Sequence, residues 1–224
     1  MNLAQRSQSP ELMDNACLDF EDYRNCLQDL ARVNLVTMAY GPVLAWLSKV
    51  HSAFSLLDVG CGYGDMLRRI RKRHPQAALT GIDRNPWAIQ AARAATPESA
   101  KIRYEAIDVF RYEPQQPDYI ISTQFVHHLS DLEAIAFVTW MERHAARGWF
   151  INDLHRHWCA YYGFRPLASA ARWHRFVRHD GRVSIARSFR PTEWRDLLGS
   201  AGIAPGAARV SWFLPFRLCV ARTR

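Results

Sequence analysis

A glycine-rich stretch, Leu56 to Asp65, contains the residues of this sequence best suited to hold a ligand. Phe54 to Val59 is predicted to be a short buried strand, and three glycines follow it before a helix that begins near Asp65. Glycine lets a backbone turn tightly and brings its N–H groups close to a bound molecule. The helix start behind the turn adds unpaired N–H groups and the positive end of a dipole. The stretch therefore predicts a cradle for a cofactor.

Small departures from other glycine motifs narrow the choice of cofactor. A dinucleotide-binding turn needs a third glycine at position 65, where this chain has Asp65. The lysine-containing loop of nucleotide triphosphatases is absent, so the turn is not built to hold a string of phosphates. What remains is an acidic residue, Asp58, two positions before the G-x-G-x-G pattern of Gly60, Gly62 and Gly64.

Acidic residues also end the next two predicted strands. Asp83 ends the strand 78–82, about 20 to 25 residues past the glycines, where ribose-binding enzymes place an acceptor for the two hydroxyls. Arg84 follows it and is included in the predicted site. Asp108 and Val109 end the third strand in the same way. The spacing from the glycines predicts that Asp83 lies beside the cofactor.

Polar side chains follow the fourth and fifth predicted strands. They are Gln124, His127 and His128 after residues 119–122, and Asn152, Asp153 and His155 after residues 149–151. Ligands of open α/β sheets bind at the carboxyl ends of the strands, and histidine can act as a general base near neutral pH. His128 and His155 are the predicted bases, with Asp153 orienting one of them. No cluster of carboxylates and histidines has a spacing that demands a metal, so no metal is predicted.

These groups need a scaffold that brings strand ends together, and the rest of the pattern supplies it. Five strand and helix units alternate from residue 54 to about residue 151, which predicts a doubly wound, mostly parallel α/β sheet. Val210 to Phe213 and Arg217 to Ala221 add a final antiparallel hairpin and bring the sheet to seven strands.

The order of these features resembles the class I S-adenosylmethionine-dependent methyltransferases over roughly residues 54–222. The His-His-Leu sequence at 127–129 is similar to that of the small-molecule branch, which includes phenol and quinone methyltransferases. The resemblance implies a Rossmann-like fold and S-adenosylmethionine as the cofactor, with Gln124 among the binding residues. It further implies that Asp108 accepts a hydrogen bond from the adenine amino group while Val109 packs on the ring.

The resemblance also suggests how the chain is divided. Residues 1–50 are predicted to form an N-terminal helical cap, in which Arg32 contacts the cofactor and Tyr40 helps to shape the pocket. Residues 51–224 are predicted to form the methyltransferase domain, with a helical substrate lid inserted at about 155–190. The alternative is ordinary packing of extra helices, with Arg32 exposed.

The predicted activity is transfer of a methyl group to a small aromatic acceptor, as O-methylation of a phenolic or polyketide-like secondary metabolite. The segments 11–14, 176–180 and 188–189 resemble a bacterial group associated with polyketide and phenolic-lipid biosynthesis. The Asn/Asp-Pro-Pro-aromatic motif of base-amino methyltransferases and the Pro-Cys nucleophile of C5-pyrimidine enzymes are absent. C-methylation of quinone type, RNA methylation and a non-enzymatic cofactor-binding module are the alternatives.

Composition limits the remaining choices. The chain has 224 residues, 49% hydrophobic residues and a net charge of +8, which suits one α/β domain with additions. No stretch has the ~20 apolar residues of a membrane span, and the N-terminus does not resemble a signal sequence. Five cysteines without C-x-x-C spacing predict free thiols and a cytoplasmic protein. The basic charge keeps an RNA partner open but disfavoured, and the oligomeric state is not predicted.

Overall fold

The computed structural model describes residues 3–15, 19–170, 173 and 175–224. Cys17 lies outside the described residues, and the other four cysteines have free thiols. No single described helix is long and apolar enough to cross a membrane. One pair of helices, Phe20–Val36 and Gly41–Leu47, passes that test jointly by length and composition, with a bend of 69° between them.

The centre of the molecule is one seven-stranded sheet in the order β3-β2-β1-β4-β5-β7-β6. Its strands are β1 Ser55–Val59, β2 Ala78–Asp83, β3 Ile102–Ala106, β4 Tyr119–Thr123, β5 Gly148–Leu154, β6 Ala208–Phe213 and β7 Arg217–Thr223. The first five strands pair in parallel, whereas β7 is antiparallel to both β5 and β6. The predicted α/β fold with a C-terminal antiparallel hairpin is therefore confirmed.

β5 is longer than the sequence pattern indicates. Asn152 and Asp153 were expected after the strand, but they belong to it and pair with Cys219 and Leu218 of β7. This antiparallel partner supplies ladder hydrogen bonds beyond the apolar run, so β5 continues to Leu154. Asp153 consequently has the fixed orientation of a strand residue.

The described α-helices flank the sheet and cover its carboxyl edge. They are α1 Leu12–Asn15, α2 Phe20–Val36, α3 Gly41–Leu47, α4 Asp65–Arg73, α5 Pro86–Ala94, α6 Asp131–His144, α7 Trp158–Ala170, α8 Arg175–Arg187 and α9 Pro191–Ser200. A capping box of Ser130 and Glu133, which follows the S-x-x-E sequence pattern, begins α6. α9 begins at Pro191, which occupies a first-turn position where its missing N–H has no cost.

Neighbouring residues of each central strand contribute to opposite hydrophobic cores. Leu57 and Ile120 pack with α6 and α9 on one face, whereas Leu56 and Ile121 pack with α3 and α4 on the other. This follows from the period of two in a strand and explains why the buried strands are apolar on consecutive positions. Both faces are thereby closed, and a ligand can reach only the strand ends.

α2 connects the sheet domain to the aromatic-rich segment around α7 and α8. Leu27 of α2 packs on Ala88 and Ala91 of α5, and Val33 of α2 packs in a cluster with Trp173 and Val177. The predicted division into cap, domain and lid stays a prediction. The segments predicted as cap and lid do contain helices, including α2 and α8. The contacts above bring α2 and α8 over the same edge of the sheet.

Candidate active site

The glycine-rich turn joins β1 to α4 with a left-handed backbone at all three glycines. Gly60, Gly62 and Gly64 have φ of +70°, +49° and +71°, a region that residues with a Cβ avoid. A Cβ at Gly64 would lie 2.4 Å from the Tyr104 hydroxyl oxygen, and one at Gly60 would lie 2.8 Å from Phe125 Cδ2. A Cβ at Gly62 would meet no described atom within 4 Å. Gly62 therefore faces open space, where a ligand can approach the backbone.

Three carboxylates surround this turn. Asp58 is 2% exposed, and its Oδ1 makes no hydrogen bond to any residue that the structure describes. The Asp83 carboxylate accepts hydrogen bonds from the backbone N–H groups of Gly62 (3.0 Å) and Asn85 (2.9 Å), so it braces the turn. Burial, together with the charges of Asp65 and Asp83, raises the pKa of Asp58 well above its ordinary value. An ionised Asp58 therefore requires a cation in the adjacent space.

Asp65, which stands where a dinucleotide turn has its third glycine, links the turn to the N-terminal helices. The Tyr40 hydroxyl donates a hydrogen bond to Asp65 Oδ2. The Arg69 guanidinium lies 4.0 Å from the centroid of the Tyr40 ring. Burial, followed by the charge of Asp65, raises the pKa of Tyr40, so its hydroxyl stays protonated. The predicted role of Tyr40 in shaping the pocket agrees with this contact.

A cavity of about 160 Å³ that opens to solvent lies beside the turn. Its lining includes Glu11 before α1, Leu27, Leu30, Ala31 and Asn34 of α2, Asp58, Gly60, Gly62 and Met66 near the turn, Gln124, His127 and His128 after β4, and Ser184 of α8. Gln124 has φ of +54° and its side-chain amide donates to Asn34 Oδ1, which spans the cavity from β4 to α2. One continuous space therefore connects the glycine turn with the two histidines.

His127 is buried between two carboxylates. Its Nδ1 lies 2.7 Å from Asp153 Oδ1, and its backbone N–H donates to Asp153 Oδ2 at 3.0 Å. Its Nε2 lies 3.6 Å from Glu11 Oε1, which also accepts a hydrogen bond of 2.7 Å from the Ser184 hydroxyl. Burial lowers the pKa of His127, but Asp153 and Glu11 outweigh burial and raise it to about 9. Burial likewise raises the pKa of Glu11, yet His127, His128 and Ser184 together lower it to about 2.

The pairing of Asp153 corrects the predicted catalytic set. Asp153 orients His127, not His128 or His155, because the short turn 126–128 after β4 places His127 against the strand end that holds Asp153. His155 lies beyond β5, its backbone N–H donates to the Phe216 carbonyl at 2.9 Å, and it does not line the cavity. Burial, rather than a partner carboxylate, shifts the pKa of His155, and the shift is downward. His128 does line the cavity.

Several residues predicted to bind the cofactor lie outside the cavity lining. The Arg32 side chain is 70% exposed and pairs with Asp29 at 2.8 Å, and its predicted contact with the cofactor stays a prediction. The outward face of α2 explains this pairing, because Arg32 and Asp29 are one helical turn apart. Asp108 accepts a hydrogen bond from the backbone N–H of Phe110 (2.9 Å), while Val109 is 5% exposed and packs in the core.

The roles of Asp108, Val109 and the exposed Arg84 stay predictions. The same holds for Asp83 and Gly64, which support the turn from outside the cavity lining.

Sequence reasoning missed Glu11, Asn34 and Ser184 as site residues. They come from three separate segments, and no spacing rule relates them to the strand ends. One signal was present, because the segments 11–14 and 176–180 were both singled out as shared with a bacterial group. In the structure these segments touch, and the backbone N–H groups of Leu12 and Met13 donate to the Asp180 carboxylate at 2.8 and 3.0 Å.

Comparisons with known proteins agree with this geometry. A family model described as a methyltransferase domain matches residues 57–149, which include the glycine turn and both histidines. The trans-aconitate 2-methyltransferase of Enterobacter sp. (strain 638) is 33% identical over 91 residues, which are 41% of this chain and 31% of that protein. That of Streptomyces avermitilis is 29% identical over 154 residues, 60% of this chain and 53% of that protein. The match thus spans between a third and about half of the length of these relatives.

Solved structures share the fold over nearly the whole chain. The plantazolicin methyltransferase BpumL in complex with SAH has a TM-score of 0.65 at 16% identity, covering 95% of this chain and 100% of that one. Human N-acetylserotonin methyltransferase in complex with SAM has a TM-score of 0.66 at 15% identity, covering 92% of this chain and 56% of that one. The predicted fold, family resemblance and cofactor are confirmed together: residues 57–149 match a methyltransferase domain, and the fold is that of class I S-adenosylmethionine-dependent methyltransferases.

Proposed function

We propose that this protein transfers the methyl group of S-adenosylmethionine to an oxygen atom of a small aromatic acceptor, such as a phenol. The observation that carries the proposal is the single cavity that contains both Asp58 with the glycine turn and His127 with His128. A cofactor at the turn and an acceptor at the histidines would share that space. Methyl transfer needs this proximity and alignment.

The carboxylates around the turn suit the cofactor because S-adenosylmethionine is a cation. Its ammonium and sulfonium groups are both positive, and its one carboxylate is negative, so its net charge is +1. Asp58 is buried and lines the cavity, and its Oδ1 has no hydrogen-bond partner among the described residues, so the ammonium group would relieve an unfavourable buried charge. Asp83 is assigned to the ribose hydroxyls, with Asp108 and Val109 at the adenine ring, on the family resemblance.

The residues on the acceptor side support the chemistry of an oxygen acceptor. A hydroxyl must lose its proton as the new bond to the methyl carbon forms, while the electron pair of the breaking carbon–sulfur bond goes to sulfur. The buried array of Glu11, His127 and Asp153 lies beside the cavity and can stabilise the deprotonated acceptor. We therefore move the predicted catalytic role from His155 to His127, with His128 beside it and Asp153 as the positioning residue.

The cavity lining favours an apolar or aromatic acceptor over a polyanion. α2 contributes Leu27, Leu30 and Ala31, and Met66 adds a polarisable thioether. Among the described lining residues there is no arginine or lysine, whereas the carboxylates number three: Glu11, Asp58 and Asp65. A tricarboxylate in this space would be repelled, because its charges would lack cationic partners.

Methylation of a carboxylate oxygen is the second candidate. It is favoured by the relatives named trans-aconitate 2-methyltransferases, which match the cofactor-binding part of the chain. It is weakened by the absence of lining cations described above. The two candidates demand opposite charges around the acceptor, so one acceptor panel separates them.

The test is a methyl-transfer assay with labelled S-adenosylmethionine on a panel of phenols, hydroxyquinones and aliphatic polycarboxylates that includes trans-aconitate. We expect turnover on phenols and none on trans-aconitate, with NMR of the product placing the methyl group on oxygen and not on carbon. Turnover on trans-aconitate alone would favour the second candidate.

Calorimetric titration with S-adenosylhomocysteine (SAH), on wild type and Asp83→Ala, checks the cofactor independently. We expect Asp83→Ala to weaken binding at least tenfold, about 1.4 kcal/mol.

A further inference from the structure

Three possible metal ligands converge at the acceptor side of the cavity. They are one carboxylate oxygen of Glu11 and one ring nitrogen each of His127 and His128, and these atoms all lie within 4.8 Å of one another. Glu11 and His127 are buried, and all three residues line the cavity. Two imidazoles with one carboxylate match the ligands of borderline divalent ions such as Zn²⁺ and Fe²⁺ better than those of Mg²⁺.

The distance between Glu11 and His127 fits two ligands of one ion. Glu11 Oε1 and His127 Nε2 are 3.6 Å apart, which is beyond the usual length of a hydrogen bond. Two ligands at about 2.1 Å from a tetrahedral ion lie about 3.4 Å from each other. The observed separation therefore needs little change to hold an ion. The His127 and His128 rings are 4.2 Å apart by centroid, although chain neighbours in an extended strand would point to opposite faces.

The residues behind these ligands hold them in the orientation that a metal requires. Asp153 Oδ1 lies 2.7 Å from Nδ1 of His127, so an ion that displaces the Nε2 proton leaves the remaining proton on Nδ1 and binds Nε2 on the side of Glu11. A carboxylate behind a ligating histidine is the usual support of such sites. The Ser184 hydroxyl donates a hydrogen bond to Glu11. The Asp180 carboxylate accepts from the backbone N–H groups of Leu12 and Met13, the two residues that follow Glu11.

We propose that Glu11, His127 and His128 bind a divalent ion of the zinc class with at least one coordination position open to the cavity. Two carboxylates, Glu11 and Asp153, with two neutral imidazoles leave a charge of −2 that one divalent ion balances. The ion also has a role in the proposed function, on which this step rests. The acceptor hydroxyl binds the ion and releases its proton to solvent water. The bound oxyanion then attacks the methyl carbon, and the electron pair of the breaking bond leaves on sulfur.

Metal binding is tested directly on the full chain without an affinity tag. Protein stripped with a chelator is titrated with Zn²⁺ by calorimetry and with Co²⁺ by visible absorption, and Mg²⁺ serves as the unfavoured ion. We expect one equivalent of Zn²⁺ or Co²⁺ at micromolar affinity or tighter, and no comparable binding of Mg²⁺. Glu11→Gln and His128→Asn should each weaken Zn²⁺ binding at least tenfold, whereas His155→Asn, a histidine outside the cluster, should leave it unchanged.

Two readouts keep a folding defect separate from a lost ligand. Each variant is checked for SAH affinity, which should equal that of the wild type because the cofactor residues are untouched. Zn²⁺ should also raise the unfolding temperature of the wild type but not of Glu11→Gln. Absence of stoichiometric binding, or binding that survives in both variants, would overturn the metal site. Because SAH affinity is measured on the same samples, that result would leave the proposed function standing.

Discussion

The two sides of the cavity are built from differently organised parts of the chain. The cofactor wall, residues 58–65, is one continuous stretch whose shape comes from left-handed glycines and a buried strand. The acceptor wall combines Glu11, Asn34, residues 124–128 and Ser184, which come from four segments far apart in the sequence. Its side chains are held by pairs such as His127 with Asp153. We therefore expect backbone changes to impair cofactor binding at the cofactor wall. Loss of a single side chain should impair methyl transfer at the acceptor wall.

The largest effect is expected where the acceptor wall depends on one side chain. His127→Asn should lower kcat for methyl transfer by about 100-fold or more, the scale of losing a group that stabilises or removes a proton. His155→Asn should change kcat by less than threefold, since His155 does not line the cavity. Steady-state kinetics on the acceptor found in the panel checks both. Equal losses in the two variants would contradict the assignment of the acceptor wall.

In the cofactor wall, adding one methyl group at Gly62 should be enough to weaken SAH binding. Gly62→Ala and Gly206→Ala both place a Cβ at positive φ, +49° and +82°, with no neighbour within 4 Å. Each should lose about 1–2 kcal/mol of unfolding free energy from the left-handed backbone. Only Gly62→Ala should weaken SAH at least tenfold, because only Gly62 lines the cavity. Denaturant unfolding measures the free energy of unfolding, and calorimetry measures the SAH affinity. Similar SAH affinities of the two variants would contradict the assignment of Gly62 to the cofactor wall.

A side-chain change in the cofactor wall should have opposite effects on binding and on stability. Asp58→Asn should weaken S-adenosylmethionine about tenfold by removing the charge that faces its ammonium group. The same change should stabilise the ligand-free protein at neutral pH, because it removes a buried, unpartnered charge.

The sign of the pH dependence follows from the raised pKa of Asp58. The protonated carboxyl is favoured in the folded state, so stability is full below the ordinary pKa and is lost as pH rises through the raised one. Asp58→Asn should remove that decline, whereas Asp196→Asn, on an exposed helix surface, should keep it. Thermal unfolding of the ligand-free proteins across pH provides the measurement. A decline of equal size in all three proteins would disprove the role of Asp58.

The smallest effect is expected at Arg32, which the sequence placed in the pocket. Arg32→Ala should change SAH affinity by less than twofold and stability by less than about 0.5 kcal/mol, as is usual for an exposed ion pair. Calorimetry and thermal unfolding suffice to check it. A tenfold loss of SAH affinity would show that α2 moves on binding and would restore the predicted contact.

Sequence alone was sufficient for features that depend on neighbouring residues. The glycine turn, the acid at Asp58, the strand that ends at Asp83 and the capping box at Ser130 are all set by local backbone chemistry. Alternation of strands and helices then determined the sheet, because right-handed crossovers leave few topologies for such a pattern. The cofactor wall and the family follow from these local signals.

The acceptor wall was decided only by the tertiary structure. The pairing of Asp153 with His127 depends on β7 extending β5, and the position of Glu11 depends on contacts of its segment with α8. Neither partner is near in sequence, so no periodicity or spacing reveals it. Side chains that meet through packing of distant segments leave no local trace, which is why the sequence pattern predicted His155 as a base and did not predict His127.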